Sequence, residues 1–274
     1  MWRTEDGARW EAIPLELGDL KVKSWLDLDV RITAGPRGVL VVGNDNFYPP
    51  RYNGVYVWHS ADGRAFGAME RVPKPRNELP FSAEASATLN GFLLGMTDNS
   101  GTMLLSSEDG VQWQNISAGL PKINGIDHVS GNASTLVLFP YYPQPAQPHG
   151  KPRAWFRRDG TWQPATIDPG RLPDAGVVPA DELVVNAVLN WGTGYIAVGN
   201  TFGGDGRENA GLVWYSADGS AWARIPVRDN GFDTASDLND VAVSQEKAVL
   251  VGYPSDSSAK LLTWQAKAPS LPNR

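Results

Sequence analysis

One short motif recurs five times along the chain and constrains its fold more than any other feature. It consists of a Ser, Thr or Arg, one further residue, the pair Asp-Gly, and an aromatic ring two or three positions later. The Asp of the five copies is Asp6, Asp62, Asp109, Asp159 and Asp218. Asp-Gly supplies the positive backbone angles of a tight hairpin, and Ser or Asp side chains can bond the turn amides. We therefore expect five hairpins, each with an aromatic ring that packs between neighbouring sheets.

A second pattern, a short apolar run that is flanked by Gly in most copies, alternates with the first. The runs lie at 38–43, 91–95, 134–139, 194–199 and 247–252. Continuous apolar runs of this length are typical of strands buried on both faces. A further strand candidate precedes each run, at Trp25 to Ile32, Ala83 to Leu89, Ile126 to Ser130, Leu183 to Leu189 and Leu238 to Ser244. Each repeat is thus predicted to hold four strands, ordered from an inner strand to an outer one that carries the aromatic residue.

The spacing of the motif predicts a single all-β domain over residues 1–274, a β-propeller of five four-stranded blades, with six blades as the alternative. Successive Asp residues of the motif are 47 to 59 residues apart, and the interval from Asp218 through both chain ends to Asp6 is 62 residues. The chain therefore resembles a ring that is cut inside a blade. Residues 1–14 would supply an outer strand to the C-terminal blade at 237–265, and this pairing would close the ring. Because both 1–4 and 261–264 resemble a third strand, one of them is redundant or forms an extra strand.

The repeats resemble the Asp-box, or BNR, repeats of sialidase-like propellers. The resemblance rests on the pattern Trp-x-Ser-x-Asp-Gly-x-x-Trp, as at Trp214 to Trp222, although Gly follows Asp directly here. The pattern is more closely similar to that of exported or lipid-anchored actinobacterial propellers. The resemblance implies architecture only, because Asp-boxes in sialidases are turns away from the active site. An ordered set of three arginines, a nucleophilic tyrosine and an acidic Asp, as sialidase chemistry requires, is not recognisable in this sequence.

Charge and composition exclude several classes of partner. The net charge of -6 and a pI near 5.1 argue against a nucleic-acid-binding surface, which concentrates Lys and Arg. No segment approaches the ~18 consecutive apolar residues of a membrane-spanning helix. The absence of Cys excludes disulfides and cysteine-ligated metals. The resemblance implies an extracellular or cell-envelope protein if a signal was removed from its precursor, and a cytoplasmic one otherwise.

The long connections between strands predict where a ligand binds. In a four-stranded blade, the connection between the second and third strands shares a face with the connection to the next blade, and these are the long segments here. Function concentrates in such loops on a rigid scaffold. The candidate ligand-binding residues in them are Tyr48, Arg51, Tyr52, Arg76, Tyr141, Tyr142, His149, Arg207 and Glu208. Our first hypothesis is therefore a recognition propeller that binds a glycan or a protein through this face, since Tyr and Arg are common anchors. The competing interpretation is that these aromatic residues only pack Pro-rich loops.

Acidic residues recur on the predicted inner strands. Asp29, Glu84, Asp127 and Asp240, with Asn186, would surround a central channel. Carboxylates that converge without a nearby Lys or Arg repel one another unless a cation, water or backbone amides compensate, so a Ca²⁺ site is one hypothesis. The other is structural: a residue that recurs in every repeat bonds the backbone of the neighbouring blade.

An enzyme is the alternative function. A glycoside hydrolase or lyase would act at the channel mouth, where five-bladed furanosidases place three carboxylates, and Asp27, Glu84 and Asp127 are comparable to these. His128 adjoins Asp127 and is the histidine with an acid–base neighbour. Hydrolysis requires two carboxyl groups about 5–9 Å apart, a distance that only a structure can give.

Overall fold

The described part of the chain is all-β. The computed structural model describes residues 1–18, 28–44, 54–73, 82–98, 101–141, 153–168, 171–172, 176–177, 183–201, 210–225, 235–244, 247–254 and 262–267. Within these ranges every regular element is a strand, and no helix has the length and apolar character that crossing a membrane requires. The chain forms two compact units, Met1–Ala133 and Ser134–Arg274.

The first unit consists of antiparallel meanders. Its strands are β1 (Trp2–Arg3), β2 (Glu11–Ala12), β3 (Asp29–Gly35), β4 (Gly38–Asn44), β5 (Val55–Ser60), β6 (Glu70–Arg71), β7 (Ser82–Thr88), β8 (Gly91–Asp98), β9 (Gly101–Ser107), β10 (Gln114–Asn115) and β11 (Ile126–Gly131). β1 and β2 pair with each other, β3 to β6 form one four-stranded sheet in chain order, and β7 to β10 form another. β11 runs beside β7 and β8. Two complete repeats of this unit therefore have the predicted four strands.

The second unit repeats this arrangement. Its strands are β12 (Thr135–Pro140), β13 (Ala154–Arg158), β14 (Thr161–Ile167), β15 (Arg171–Leu172), β16 (Gly176–Val177), β17 (Leu183–Trp191), β18 (Gly194–Thr201), β19 (Gly211–Ser216), β20 (Ala221–Arg224), β21 (Ala235–Val243), β22 (Lys247–Pro254) and β23 (Leu262–Lys267). β17 to β20 form a four-stranded meander and β21 to β23 a three-stranded one. β14 joins the meander β12–β14 to β20 through a short parallel pairing.

The Gly-flanked apolar runs are the buried second strands of the sheets, as predicted. Every residue of β18 is buried. In the first unit the two faces of β4 enter different clusters: Val41 packs with Tyr56 and Trp58, while Leu40 and Val42 pack with the apolar residues of β7 to β9. A strand with a core on each face has no polar face to expose, which explains the continuous apolar run.

The Asp-Gly turns form as predicted, with positive φ at all five glycines. In the turn at Asp109, the Ser107 hydroxyl accepts a hydrogen bond of 2.8 Å from the Gly110 amide. The Asp109 carboxylate accepts from the amides of Gln112 and Val111 at 2.8 and 2.9 Å, and these bonds lower the pKa of Asp109. The shortened copy differs: Asp159 itself has φ 50°, so Asp159-Gly160 is a two-residue hairpin with positive φ at both positions, the type that Asp-Gly favours.

Two of these glycines predict a graded loss of stability. A Cβ on Gly219 would lie 2.5 Å from Val137 Cγ1, whereas a Cβ on Gly160 meets nothing within 4 Å. Gly160→Ala should therefore cost only the left-handed backbone strain of about 1–2 kcal/mol, and Gly219→Ala about 1–3 kcal/mol more through overpacking. Urea unfolding of both variants measures the difference. Equal losses would show that Val137 yields to the new methyl group at no cost.

The first motif copy departs from the prediction that the aromatic ring is buried. Trp222 and Trp162 are 2% and 9% exposed, but Trp10 and Trp2 are 59% and 65% exposed. The physical reason is that β1 and β2 pair only with each other among the described residues of this unit, so no further strand there covers their rings. Leu262–Lys267 is the third strand of the last sheet, next to β22. Trp2–Arg3 is therefore the extra strand of the two candidates, and its closure onto residues 237–265 stays a prediction.

Candidate functional site

Three inner strands of the first unit bring five ionisable side chains together. These are Asp29 and Arg31 on β3, Glu84 on β7, and Asp127 and His128 on β11; we call them the inner-strand cluster. Arg31 Nη2 lies 3.4 Å from Asp29 Oδ2 and Arg31 Nε lies 3.8 Å from Glu84 Oε2. On the other side of Glu84, His128 Nδ1 lies 3.6 Å from Oε1. Glu84 is thus held between a guanidinium and an imidazole.

Sheet packing explains how β3 and β7 place these groups. Alternate residues of a strand share a face, so Asp29, Arg31 and Thr33 point the same way. The Thr33 hydroxyl accepts a hydrogen bond of 2.8 Å from the Ala87 amide, which sets this face against β7. Arg31 is consequently within reach of Glu84.

A glycine brings the third strand close. Glu84 pairs across the sheet with Gly95 of β8. A Cβ on Gly95 would lie 2.9 Å from Ile126 Cγ2 of β11. The missing side chain therefore lets β11 approach β7 and β8, and this approach carries His128 to Glu84.

The two carboxyl groups Glu84 and Asp127 have different environments. Burial raises the pKa of the Asp127 carboxyl; His128 opposes this, the charge of Glu84 adds to it, and Arg31 again opposes it. More than a third of the surface of Asp127 is nevertheless accessible. Asp127 therefore favours its protonated form more than an ordinary aspartate, while Glu84 contacts two groups that can be cationic.

The structure brings some of the predicted site residues together and corrects one assumption about them. Asp127 lies near enough to Glu84 for the charge of Glu84 to act on its carboxyl group, whereas Asp27 lies outside the described residues, and the catalytic pairing of Glu84 with Asp127 stays a prediction. The carboxylates are not without a cation, because Arg31 bridges Asp29 and Glu84. Sequence reasoning missed Arg31, although its position two residues after Asp29 on a predicted strand placed it on the same face.

Two of the predicted channel-lining residues, Asn186 and Asp240, lie in the second unit, and hydrogen bonds explain the first of them. Asn186 donates hydrogen bonds of 2.8 Å to Asn200 Oδ1 and to the Leu238 carbonyl of the neighbouring sheet. This confirms the structural hypothesis for Asn186. Asp240 is exposed beside a register shift of β21. Among the described residues, no three His, Asp or Glu side chains are placed to hold one metal ion, and the Ca²⁺ site stays a prediction.

The predicted ligand-binding face lies largely outside the described residues. Tyr141 follows β12 and is 43% exposed. The other eight candidates lie outside the described ranges: Tyr48, Arg51, Tyr52, Arg76, Tyr142, His149, Arg207 and Glu208. Their part in binding stays a prediction.

No family model matches the chain, and no curated protein matches it. Solved structures that are similar include an endo-arabinase from Bacteroides thetaiotaomicron, with 13% identity, a TM-score of 0.47, and coverage of 96% of this chain and 99% of that one. The GH74 enzyme of Niastella koreensis has 14% identity and a TM-score of 0.49, over 83% of this chain and 34% of that one. A GH43 endo-arabinanase from Bacillus licheniformis has 12% identity and a TM-score of 0.38, over 92% of this chain and 96% of that one. At these values the similarities assign neither a family nor an activity to this chain.

Proposed function

We propose that the chain hydrolyses glycosidic bonds at the inner-strand cluster. The observation that carries this proposal is the contrast between Asp127, whose pKa burial raises, and Glu84, which lies against Arg31 and His128. Paired carboxyl groups whose environments push their pKa values apart are the usual basis of an acid–base division of labour. Glycoside hydrolysis needs such a pair, one member protonated and the other ionised.

In this proposal Asp127 is the acid and Glu84 the ionised partner. The Asp127 carboxyl gives its proton to the leaving oxygen as the glycosidic C–O bond breaks. The Glu84 carboxylate assists the attack that forms the new bond at the anomeric carbon. Water supplies the oxygen of the product, and the proton that this water loses restores the protonated Asp127. Arg31 Nε and His128 Nδ1 lie 3.8 and 3.6 Å from the two Glu84 oxygens and hold the carboxyl group in position.

We also propose that the four-stranded meanders are blades of a five-bladed propeller with Asp-box-like turns. Within each unit, consecutive sheets pack face to face through apolar clusters. The residue four positions before the Asp of the motif is a buried tryptophan in two copies, Trp58 and Trp214. The indole N–H of Trp58 donates to the Glu16 carbonyl, and that of Trp214 donates to the Asp168 carbonyl. Ring closure would cover Trp2, the exposed residue at this position in the first copy.

Glycan or protein recognition through the long-loop face is the second candidate function. The observation in its favour is Tyr141, whose ring is exposed at the end of β12 where the predicted binding loop begins. Exposed tyrosines suit both sugar stacking and protein contacts.

Removing the acid tests the hydrolase proposal. Wild type should hydrolyse at least one sugar in a panel of paired methyl and 2,4-dinitrophenyl glycosides. Asp127→Asn should lower kcat about 100-fold or more on the methyl glycoside, which needs its leaving group protonated. On the dinitrophenyl glycoside the loss should be much smaller, because that leaving group departs as an anion.

The pH dependence supplies the control. The kcat of wild type on the methyl glycoside should fall as pH rises through the raised pKa of Asp127, and this fall in kcat should be absent in Asp127→Asn.

A carboxyl group whose pKa is raised by folding contributes stability at low pH that is lost as pH rises through the folded value, so Asp127→Asn should not lower Tm at neutral pH. Asp159→Asn removes the same charge from an exposed turn of the second unit and should leave kcat unchanged. An inert wild type, or equal losses on both leaving groups, contradicts the proposal.

A further inference from the structure

Asn44 is a buried amide without a hydrogen-bond partner in the described part of the chain. Its residue is 2% exposed, and neither Nδ2 nor Oδ1 has a partner there. Buried polar groups of folded proteins are nearly always hydrogen-bonded, so each exception requires an explanation such as a bound water or a ligand.

The position of Asn44 directs this amide to the inner-strand cluster. Asn44 is the last residue of β4 and pairs directly with Asp29 of β3. Residues that are paired across an antiparallel sheet point to the same face, and Asp29 shares that face with Arg31. Leu40 and Val42 precede Asn44 at alternate positions of β4 and pack toward β7. The Asn44 amide therefore follows Leu40 and Val42 on one face of β4, at the end of the strand that lies beside Asp29.

The second unit shows how the same motif behaves when its Asn is structural. Val-Gly-Asn occurs at 42–44 and again at 198–200, at the end of the second strand of its sheet. Asn200 Oδ1 accepts a hydrogen bond of 2.8 Å from Asn186, and Asn200 Nδ2 donates to the Thr201 carbonyl at 3.2 Å. Opposite Asn44 lies Asp29, whose carboxyl group accepts a hydrogen bond from Arg31 instead.

We infer that Asn44 recognises substrate hydroxyls at the inner-strand cluster, an inference that rests on the proposed hydrolase function and deepens it. One amide offers both a donor and an acceptor, so it matches two adjacent hydroxyls of a neutral sugar ring. An acidic sugar is disfavoured, because the Arg31 guanidinium already lies against the Asp29 and Glu84 carboxyl groups and is not free to pair with a further carboxylate. Asn44 is therefore a specificity-determining residue, and its ligand is a neutral sugar with a free vicinal diol.

Leucine, which has the branching of asparagine without its polar atoms, tests this role. Asn44→Leu removes a buried amide that bonds nothing in the described part of the chain, so Tm should fall clearly less than in Asn200→Leu, which adds the same volume. Asn200→Leu is the matched control: it removes the partner of Asn186 and should lower Tm. A smaller loss of Tm together with altered recognition is the signature of a site that is kept for binding at a cost in stability.

Recognition is measured by titration calorimetry with neutral monosaccharides, each paired with a deoxy analogue that lacks one hydroxyl of the diol. Wild type should bind at least one sugar about tenfold or more tightly than its deoxy analogue, because the analogue leaves a buried polar group unpaired. Asn44→Leu should bind the two equally and weakly. A merely structural role would leave this discrimination unchanged.

The outcomes separate the inference from the function on which it rests. If wild type cleaves no glycoside but Asn44→Leu still loses discrimination, the hydrolase proposal fails and the recognition role holds. If wild type cleaves a glycoside and Asn44→Leu discriminates as wild type does, the recognition role fails and the hydrolase proposal holds. A Tm of Asn44→Leu as low as that of Asn200→Leu, or a wild type that binds none of the sugars, overturns the inference.

Discussion

Glu84→Gln should lower kcat by up to about 10⁴-fold on every glycoside that wild type cleaves, whatever the leaving group. Glutamine keeps the shape of the side chain and removes the negative charge that Arg31 and His128 contact. The attack at the anomeric carbon depends on that charge, so an activated leaving group cannot compensate for its loss. The fall in kcat of Glu84→Gln should thus be the same for both leaving groups, whereas that of Asp127→Asn should depend on the leaving group. The measurement is kcat on paired methyl and dinitrophenyl glycosides.

A matched control keeps this prediction specific. Glu108→Gln removes the same charge from an exposed residue of the Asp109 turn and should leave kcat unchanged. Substrate affinity of Glu84→Gln, measured by calorimetry, should stay within a few-fold of wild type, because the lost interaction acts mainly in the transition state. Turnover that survives in Glu84→Gln would exclude this residue from the chemistry.

Trp214→Ala should cause the largest loss of stability, about 3–5 kcal/mol. Its ring is 1% exposed and belongs to the apolar cluster that includes Phe139 and Trp222. Its indole N–H donates a 2.9 Å hydrogen bond to the Asp168 carbonyl, and alanine leaves both a cavity and an unpaired carbonyl. Thermal unfolding should show a fall in Tm of roughly 10 °C at the usual conversion for a chain of this size.

Trp155 provides the internal comparison for this variant. It lies at the same motif position, four residues before the Asp of Asp159-Gly160, but it is only partly buried. Its indole N–H has no partner among the described residues. Trp155→Ala should therefore cost clearly less than Trp214→Ala. Equal losses would contradict the view that the carbonyl bond and full burial distinguish the two positions.

The repeat motif predicted much of the secondary structure because its determinants are local. Positive φ at an Asp-Gly turn follows from the residues of that turn, and the Ser side chain that bonds the Gly219 amide is three positions away. Continuous apolar runs predicted β4 and β18, since burial on both faces leaves no place for polar residues. The hairpin of β15 and β16 was missed, because its two-residue strands carry no periodic signal.

The composition of the candidate site was only partly visible in the sequence. Glu84 and Asp127 were found as acidic residues that recur on inner strands. The difference between their environments could not be found in the sequence. The burial of Asp127 and the contacts of Glu84 with Arg31 and His128 both depend on which strands meet. Gly95 shows the reason: its bare backbone lets Ile126 approach, and no property of position 95 alone reveals that neighbour.

The sequence by itself determined the repeating strands, their turns and the acidic inner positions, since these follow from local backbone preference and from the alternation of side chains along a strand. The tertiary structure alone decided that Arg31 joins Asp29 to Glu84, that His128 meets Glu84, and that Asn44 lacks the partner which Asn200 has. The physical reason is that such contacts join residues far apart in the chain. Their distances are set by the packing of whole sheets, which the local pattern does not encode.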